Sequence, residues 1–237
     1  MVATSPSIAP ELTLPPAATT WGKLRSSVLR HVAARALPQS FMFFHGARMG
    51  PKRVALTFDD GPDEGTVRYL ELLERLNVRA TFFVIGDRAE RRPDAVREIL
   101  AAGHELAGHG FTHRQFPELS AAELVAELLR TAEALPLTTT RHPLVRPPKG
   151  AVNPRSLGRT AAAGFTSVMW SLDSDDCRTT DPARVASAVS PSRVKPGEVV
   201  LMHEGQEWTL EALPRIVGEL RSAGYELVTV GELMENL

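Results

Sequence analysis

Five short stretches of this chain hold most of the side chains that can do chemistry. Asp59 and Asp60 stand side by side before Gly61-Pro62, and His109 and His113 share the spacing His-x-x-x-His. Arg146 opens the stretch Arg146-Pro147-Pro148-Lys149-Gly150, Asp173 and Asp176 share another, and His203 closes Val199-Val200-Leu201-Met202. Two imidazoles and one carboxylate make a three-ligand set with a position left for water, which suits catalytic zinc. Asp60 is the candidate third ligand. Of two adjacent carboxylates at a strand end, one can bind a cation while the other moves a proton. Taken singly, each feature has a plainer reading. Asp-Asp-Gly is ordinary turn chemistry, and a histidine pair at this spacing is commonly incidental. His203 reads as a satisfied strand-end histidine, and Arg146 and Asp176 as partners in structural ion pairs. Their conjunction favours the chemical reading. His104 precedes its strand and reads as structural; His31, His45 and His142 have no constellation around them.

The elements that must position these groups alternate along the chain. Short apolar runs cover residues 54–58, 80–85, 105–107, a weak one at Val145, 166–172, 199–202 and 226–230. Between them lie helix-like stretches at 66–76, 92–102, 121–135, 154–163, 182–188 and 210–223, with apolar faces such as Asp94, Val96, Ile99, Leu100 and Leu124, Leu128, Leu135. Asn77, Gly103, Gly164 and Gly224 stand where helices should stop. Each run plus helix is a βα unit, so a parallel sheet follows. About seven units fit a barrel or a doubly wound sheet, and periodicity does not choose between them. In both architectures the carboxyl ends of the strands share one face, where ligand sites form. The five polar stretches all follow strand-like runs and therefore converge there.

Composition bounds the rest. The chain has 237 residues, 43% hydrophobic and 23% charged, enough apolar surface for one globular domain. A net charge of −1, with no basic patch interleaved with aromatics, argues against nucleic acid as a partner. The single cysteine, Cys177, excludes an intramolecular disulfide and a multi-cysteine zinc site. Three regions are expected: a loose Pro/Ser/Thr-rich arm at 1–20, a basic amphipathic helix and connector at 21–51, and the main domain at 52–237. Trp21, Leu24, Val28 and Val32 recur at helical spacing among arginines. Packing against the main domain is the favoured reading of that helix, and contact with a membrane surface the lesser one. Phe41 to Phe44 then belong to the core or lead into it. No stretch reads as a signal peptide, and none approaches the ~20 apolar residues of a span, so a cytoplasmic monomer is expected.

The ordered motifs resemble those of the polysaccharide deacetylase family, carbohydrate esterase family 4, also called the NodB-like homology domain. The likeness runs from about Lys52 to the C-terminus. It rests on Thr57-Phe58-Asp59-Asp60-Gly61-Pro62, the His109/His113 pair, residues 146–150, Asp173-x-x-Asp176 and Leu201-Met202-His203, with 78–83 and 103–105 also similar. The resemblance implies a distorted (β/α)7 barrel and a divalent metal, commonly Zn2+, held by Asp60, His109 and His113. It implies Asp59 as general base paired with Arg146, and His203 as general acid paired with Asp176. It implies Leu201 in the acetyl-methyl pocket. Three positions depart from the family pattern: Gly110 for the usual Ser or Thr, Lys149 for the usual aromatic, and Cys177 for the usual Trp. They touch the groove wall and the support of the metal loop, so substrate choice is affected more than chemistry. Cys177 is expected to be quiet and partly buried.

The implied activity is removal of N-acetyl groups from an N-acetylhexosamine-containing glycan. Hydrolysis of such an amide needs an activated water, a held oxyanion and a proton for the departing amine. Asp59 would take the water proton, the Lys149 backbone N–H would hold the oxyanion, and His203 would supply the amine proton. A guanidinium beside Asp59 favours its ionised form, and a carboxylate beside His203 favours the imidazolium. An O-acetyl esterase or a cyclic-amide hydrolase would use the same groups. A non-catalytic glycan-binding protein and a metal-dependent phosphatase are the rivals from other classes; the latter lacks a phosphate-cradling glycine-rich loop.

Overall fold

The computed structural model describes residues 41–135, 137 and 143–235. The expected arm, the helix periodicity from Trp21 to Leu37, His31 and His142 lie outside the described residues. Strand β1 (Met42–Phe43) is followed by β2 (Arg53–Asp59), α1 (Thr66–Arg75), β3 (Thr81–Val84), α2 (Gly86–Arg91), α3 (Pro93–Ala101) and β4 (Glu105–Gly108). Then come α4 (Ala121–Ala134), β5 (Leu144–Val145), α5 (Pro154–Ala162), β6 (Thr166–Val168) and β7 (Leu172–Asp173). The last elements are α6 (Pro182–Ala188), β8 (Glu198–His203), α7 (Glu207–Ser222), β9 (Glu226–Val228) and α8 (Val230–Met234). No described helix is long and apolar enough to cross a membrane.

The strands pair in the order β1-β6-β5-β4-β3-β2-β8-β7, with β9 on the first half of β2, and every ladder is parallel. The apolar run 166–172 splits into β6 and β7 because it serves both ends of this order. Met169 N–H bonds to Phe43 on one side (2.8 Å), and two residues on Ser171 N–H bonds to Val199 on the other (3.0 Å). The sheet therefore curls back on itself as a distorted α/β barrel. An antiparallel bridge from His45 to Glu198 reinforces the seam. Met42 and Phe43, from the expected connector, are thus a strand of this sheet.

Alternation along the strands sorts the side chains into two layers. Val54, Leu56 and Phe58 of β2 join Tyr69, Leu73, Ile99 and Leu213 in the core between sheet and helices. Ala55, Phe83, Ala107, Leu144, Val168 and Val199 form a separate cluster with Phe43, Val228 and Val230. That second cluster is the barrel interior, and it is closed at the amino ends of the strands by α8. Val230 therefore begins a helix instead of extending the last strand. Thr229 caps α8 and Glu232 bonds back to the Thr229 N–H, a reciprocal capping box. Leu124, Leu128 and Leu135 are buried as their spacing requires. Asp94 departs from its expected face: it is exposed and ion-paired with Arg97. Asn77, Gly103, Gly164 and Gly224 all have left-handed φ (51°, 79°, 87° and 82°), the conformation of a helix C-cap.

Candidate active site

The interior alternation continues past the strand ends and delivers the polar groups. Residues 55, 57 and 59 of β2 face inward, as do Glu105, Ala107 and then His109 along β4. Leu144 then Arg146 follow β5, and Val199, Leu201 and His203 follow β8. In the parallel register Asp59 lies opposite His203, so the two are neighbours on adjacent strands. Leu201 is buried between Thr57 and Asp173 in the same registers.

Arg146 is fully buried and spans the interior. Its Nη1 donates to Asp59 Oδ1 (2.5 Å) and Thr57 Oγ1 (2.8 Å), and its guanidinium lies 3.8 Å from the Phe83 ring centroid. Burial pulls the Arg146 pKa down and the Asp59 charge pushes it back up; an arginine stays charged in either case. Removing one partner of such a pair costs about 3–5 kcal/mol, because the other charge is left buried alone.

Beside this pair, donor atoms of Asp60, His109 and His113 all lie within 4.8 Å of one another. His109 Nδ1 is 2.8 Å from the Arg146 carbonyl. A carbonyl only accepts, so Nδ1 carries the proton and Nε2 keeps its lone pair. Burial lowers the His109 pKa and keeps the ring neutral. That lone pair faces Asp60 Oδ1 at 3.5 Å, and His113 Nε2 is 3.2 Å from the same oxygen. Asp60 Oδ1 is nevertheless buried without a hydrogen bond of acceptable geometry. Burial raises the Asp60 carboxyl, but the surrounding histidines outweigh it and bring it to about 2. An orphaned carboxylate oxygen facing an imidazole lone pair is what a cation site of oxygen and nitrogen donors requires. The residues fit a divalent metal.

The chain is held here in conformations that side chains rarely adopt. Asp60 (φ 71°), His113 (62°), Lys149 (57°) and Asp175 (59°) are all left-handed, and the one other such non-glycine residue among those described is the helix cap Asn77. Strain of this kind costs of order 1–3 kcal/mol per residue and persists where surrounding bonds over-determine it. Those bonds are visible. The Asp60 carbonyl accepts from Arg88 Nη1, and the Gly61 carbonyl from Ile85 N–H. The loop carrying the histidines bonds to the first N–H groups of α2 through the carbonyls of Gly110 and Phe111. Across the loop, Glu127 of α4 accepts from the N–H groups of Phe111 (2.7 Å) and Thr112 (2.8 Å) and from the Thr112 hydroxyl.

Glu127 was not legible in the sequence, where it is one of several acidic residues on a helix. It supports the loop at the point where Gly110 replaces a hydroxyl residue. Gly110 itself has φ 73°, which a serine or threonine would adopt only under strain. Glu204 was missed as well. It is buried against Gly61, accepts from Thr66 Oγ1, and burial above all pushes its carboxyl up to about 8.

On the far side, His203 Nδ1 donates to Asp176 Oδ1 (2.9 Å), while Asp176 Oδ2 accepts from the His203 N–H (2.7 Å) and Thr209 Oγ1 (3.0 Å). Burial opposes a charged His203, but the bonds to Asp176 and Cys177 and the Asp176 and Asp59 charges prevail and raise its pKa to about 11. Lys149 is exposed. Cys177 is exposed, where the sequence suggested partial burial; a small side chain in a loop facing the rim leaves the thiol open to water. His104 accepts from the Ala80 N–H at the opposite end of the barrel, away from these groups.

Known proteins resemble this chain over most of its described length. The model of the polysaccharide deacetylase family matches residues 46–168. The chain is 36% identical over 184 residues to the peptidoglycan-N-acetylglucosamine deacetylase PgdA of Listeria monocytogenes, covering 77% of this chain and 39% of that protein's length. It is 32% identical over 208 residues to a chitooligosaccharide deacetylase of Bradyrhizobium, covering 80% and 94%. The solved family 4 carbohydrate esterase of Streptomyces lividans superposes with a TM-score of 0.69 at 36% identity, covering 73% of this chain and 90% of that one. The chain belongs to the polysaccharide deacetylase family.

Proposed function

We propose that this chain hydrolyses N-acetyl groups on an N-acetylglucosamine-containing glycan, a peptidoglycan strand or chitooligosaccharide, with Zn2+ held by Asp60, His109 and His113. Zinc at that position would act as a Lewis acid on the acetyl carbonyl and acidify the attacking water. Asp59 then takes the proton of that water, its carboxylate held in place by Arg146. The Lys149 backbone N–H donates to the carbonyl oxygen as charge develops on it. Leu201 offers an apolar wall to the acetyl methyl. His203, kept protonated by Asp176, gives its proton to the departing nitrogen, and the products are acetate and a free amine.

The observation that carries this reading is the meeting of Asp60, His109 and His113 within 4.8 Å, with Asp59 and His203 in register beside them. The Asp176–His203 pair favours an amide over an ester as substrate. An amine leaves only if protonated, whereas an alkoxide is a better leaving group and asks less of an acid. The test is acetate release from chitooligosaccharide, peptidoglycan and acetylxylan, with and without chelator. Acetate from the first two, lost with chelator and restored by zinc, is expected. Metal-loaded protein that releases acetate from none of the three refutes the proposal, as does full zinc retention in His109→Ala.

A further inference from the structure

The rim of the barrel carries a second group of metal-ligating atoms. Asp176, Cys177 and His203 also bring one donor atom each within 4.8 Å of the others, and they share none with the first group. Cys177 Sγ lies 3.2 Å from His203 Nδ1, and Asp176 Oδ1 lies 2.9 Å from the same nitrogen. We infer that these three residues form an inhibitory site for a thiophilic divalent cation such as Zn2+, which switches the enzyme off by capturing the histidine that supplies the amine proton.

The donor set is one sulfur, one imidazole nitrogen and one carboxylate oxygen, all ligands that zinc accepts. With zinc–sulfur bonds of about 2.3 Å and zinc–nitrogen bonds of about 2.0 Å, tetrahedral ligands lie roughly 3.3–3.6 Å apart. The observed separations need to open by only a few tenths of an ångström. The carboxylate is already fixed for the task, because its Oδ2 is held by the His203 N–H and by Thr209. The peptide between Asp176 and Cys177 is anchored by Trp208 Nε1, which donates to the Asp176 carbonyl (2.7 Å). Supporting bonds of this kind orient ligands in metal sites. Cys177 is exposed, so a cation has a path from solvent and a fourth position for water.

Capture releases two protons to solvent, one from the thiol and one from Nδ1, and involves no redox step. With its Nδ1 lone pair on a cation, His203 is a neutral imidazole, and its remaining Nε2 proton is far too weakly acidic to be given to a departing amine. The inhibition rests on the function proposed above; the capture itself does not.

Cys177 is the only cysteine, so a thiol reagent reports on this site alone. Protein carrying one equivalent of zinc is titrated with further zinc, and in parallel with Co2+. A second equivalent is expected to bind, to protect the thiol from a chromogenic disulfide reagent, and to stop acetate release over one concentration range. Cobalt is expected to give thiolate-to-metal charge-transfer absorption. Cys177→Ala, measured against its own turnover without excess zinc, needs at least the roughly tenfold more zinc for half inhibition that loss of even an outer-sphere partner imposes. Unchanged zinc sensitivity in Cys177→Ala, or a thiol that zinc leaves equally reactive, overturns the inference. A protein that releases no acetate at all fails the function reading, and the thiol and cobalt signals still decide the site.

Discussion

The two ends of the barrel use the same residue types to opposite effect. At the amino ends of the strands, buried Glu105 accepts from Thr81 Oγ1 (2.7 Å) and the Gly231 N–H (3.1 Å), and Thr81 Oγ1 accepts from the Val230 N–H. His104 accepts from the Ala80 N–H against the edge of Phe82. These groups spend their hydrogen bonds on α8 and on the strand that follows, and the buried carboxylate is satisfied. At the carboxyl ends, Asp59, Asp60, His109 and His113 are buried or half-buried too, but Asp60 Oδ1 has no hydrogen bond and four neighbouring residues are left-handed. A buried polar group is therefore no mark of function by itself. What distinguishes a site is bonding capacity the fold leaves unused, held at the cost of backbone strain.

The sharpest way to break this contrast is to change a carboxylate to its amide at each end. Asp59→Asn keeps an acceptor for Arg146 but cannot take a proton, so turnover should fall on the order of 10³-fold or more, with metal content unchanged. Glu105→Gln keeps its acceptor oxygen for Gly231 and should hold turnover within about twofold of the parent, moving only the melting temperature. Equal loss of acetate release in both variants would dissolve the distinction between the ends.

Glu127→Gln comes next, since an amide cannot accept at both oxygens from Phe111, Thr112 N–H and the Thr112 hydroxyl. Metal affinity, read by competition with a chromophoric chelator, should weaken by about 10–100-fold while the fold persists. Unaltered affinity would make Glu127 an ordinary core contact. Asp176→Asn removes the charge that holds the His203 pKa near 11. The alkaline limb of the pH–rate profile should then move to lower pH, by more than one unit toward the ordinary value of about 6.5. A limb that stays in place would mean another group supplies the proton.

The smallest effect belongs to the amino end. Burial, with Arg79 adding to it, lowers His104 from 6.5 to about 4. A histidine depressed in the fold binds protons more readily when unfolded. Its contribution is present above pH 6.5 and is lost as the pH falls toward 4. Between pH 7 and 5.5 that loss amounts to about 1 kcal/mol, and His104→Gln should flatten this part of the stability curve in denaturant titrations. A slope unchanged by the substitution would show that His104 is not its source.

The gathering of polar side chains at the carboxyl end was readable because these residues follow apolar runs, and strand alternation then aims them inward. The amino end was hidden by the same logic. Val230 continues an apolar run, and only the capping pair Thr229 and Glu232 marks it as the start of a helix. The run 166–172 conceals its break because both halves are apolar; what divides it is a change of partner strand, which no local pattern encodes. Glu127 was invisible for a related reason: its partners are backbone N–H groups more than a dozen residues upstream, and main-chain donors leave no trace in residue identity.

The six-residue ladder between β2 and β8 ends on Asp59 and His203. Their spacing is thus gauged by the main chain and not by any loop. A slip of β2 by one residue would turn Asp59 away from the interior and bring Phe58 in its place. Around His113, Lys149 and Asp176, the remaining residues of the turns at 113–120, 147–153 and 174–181 can change in number or composition while that ruler stays fixed. Descendants of such a scaffold can take up new ligands by rebuilding the rim without retuning the distance between Asp59 and His203.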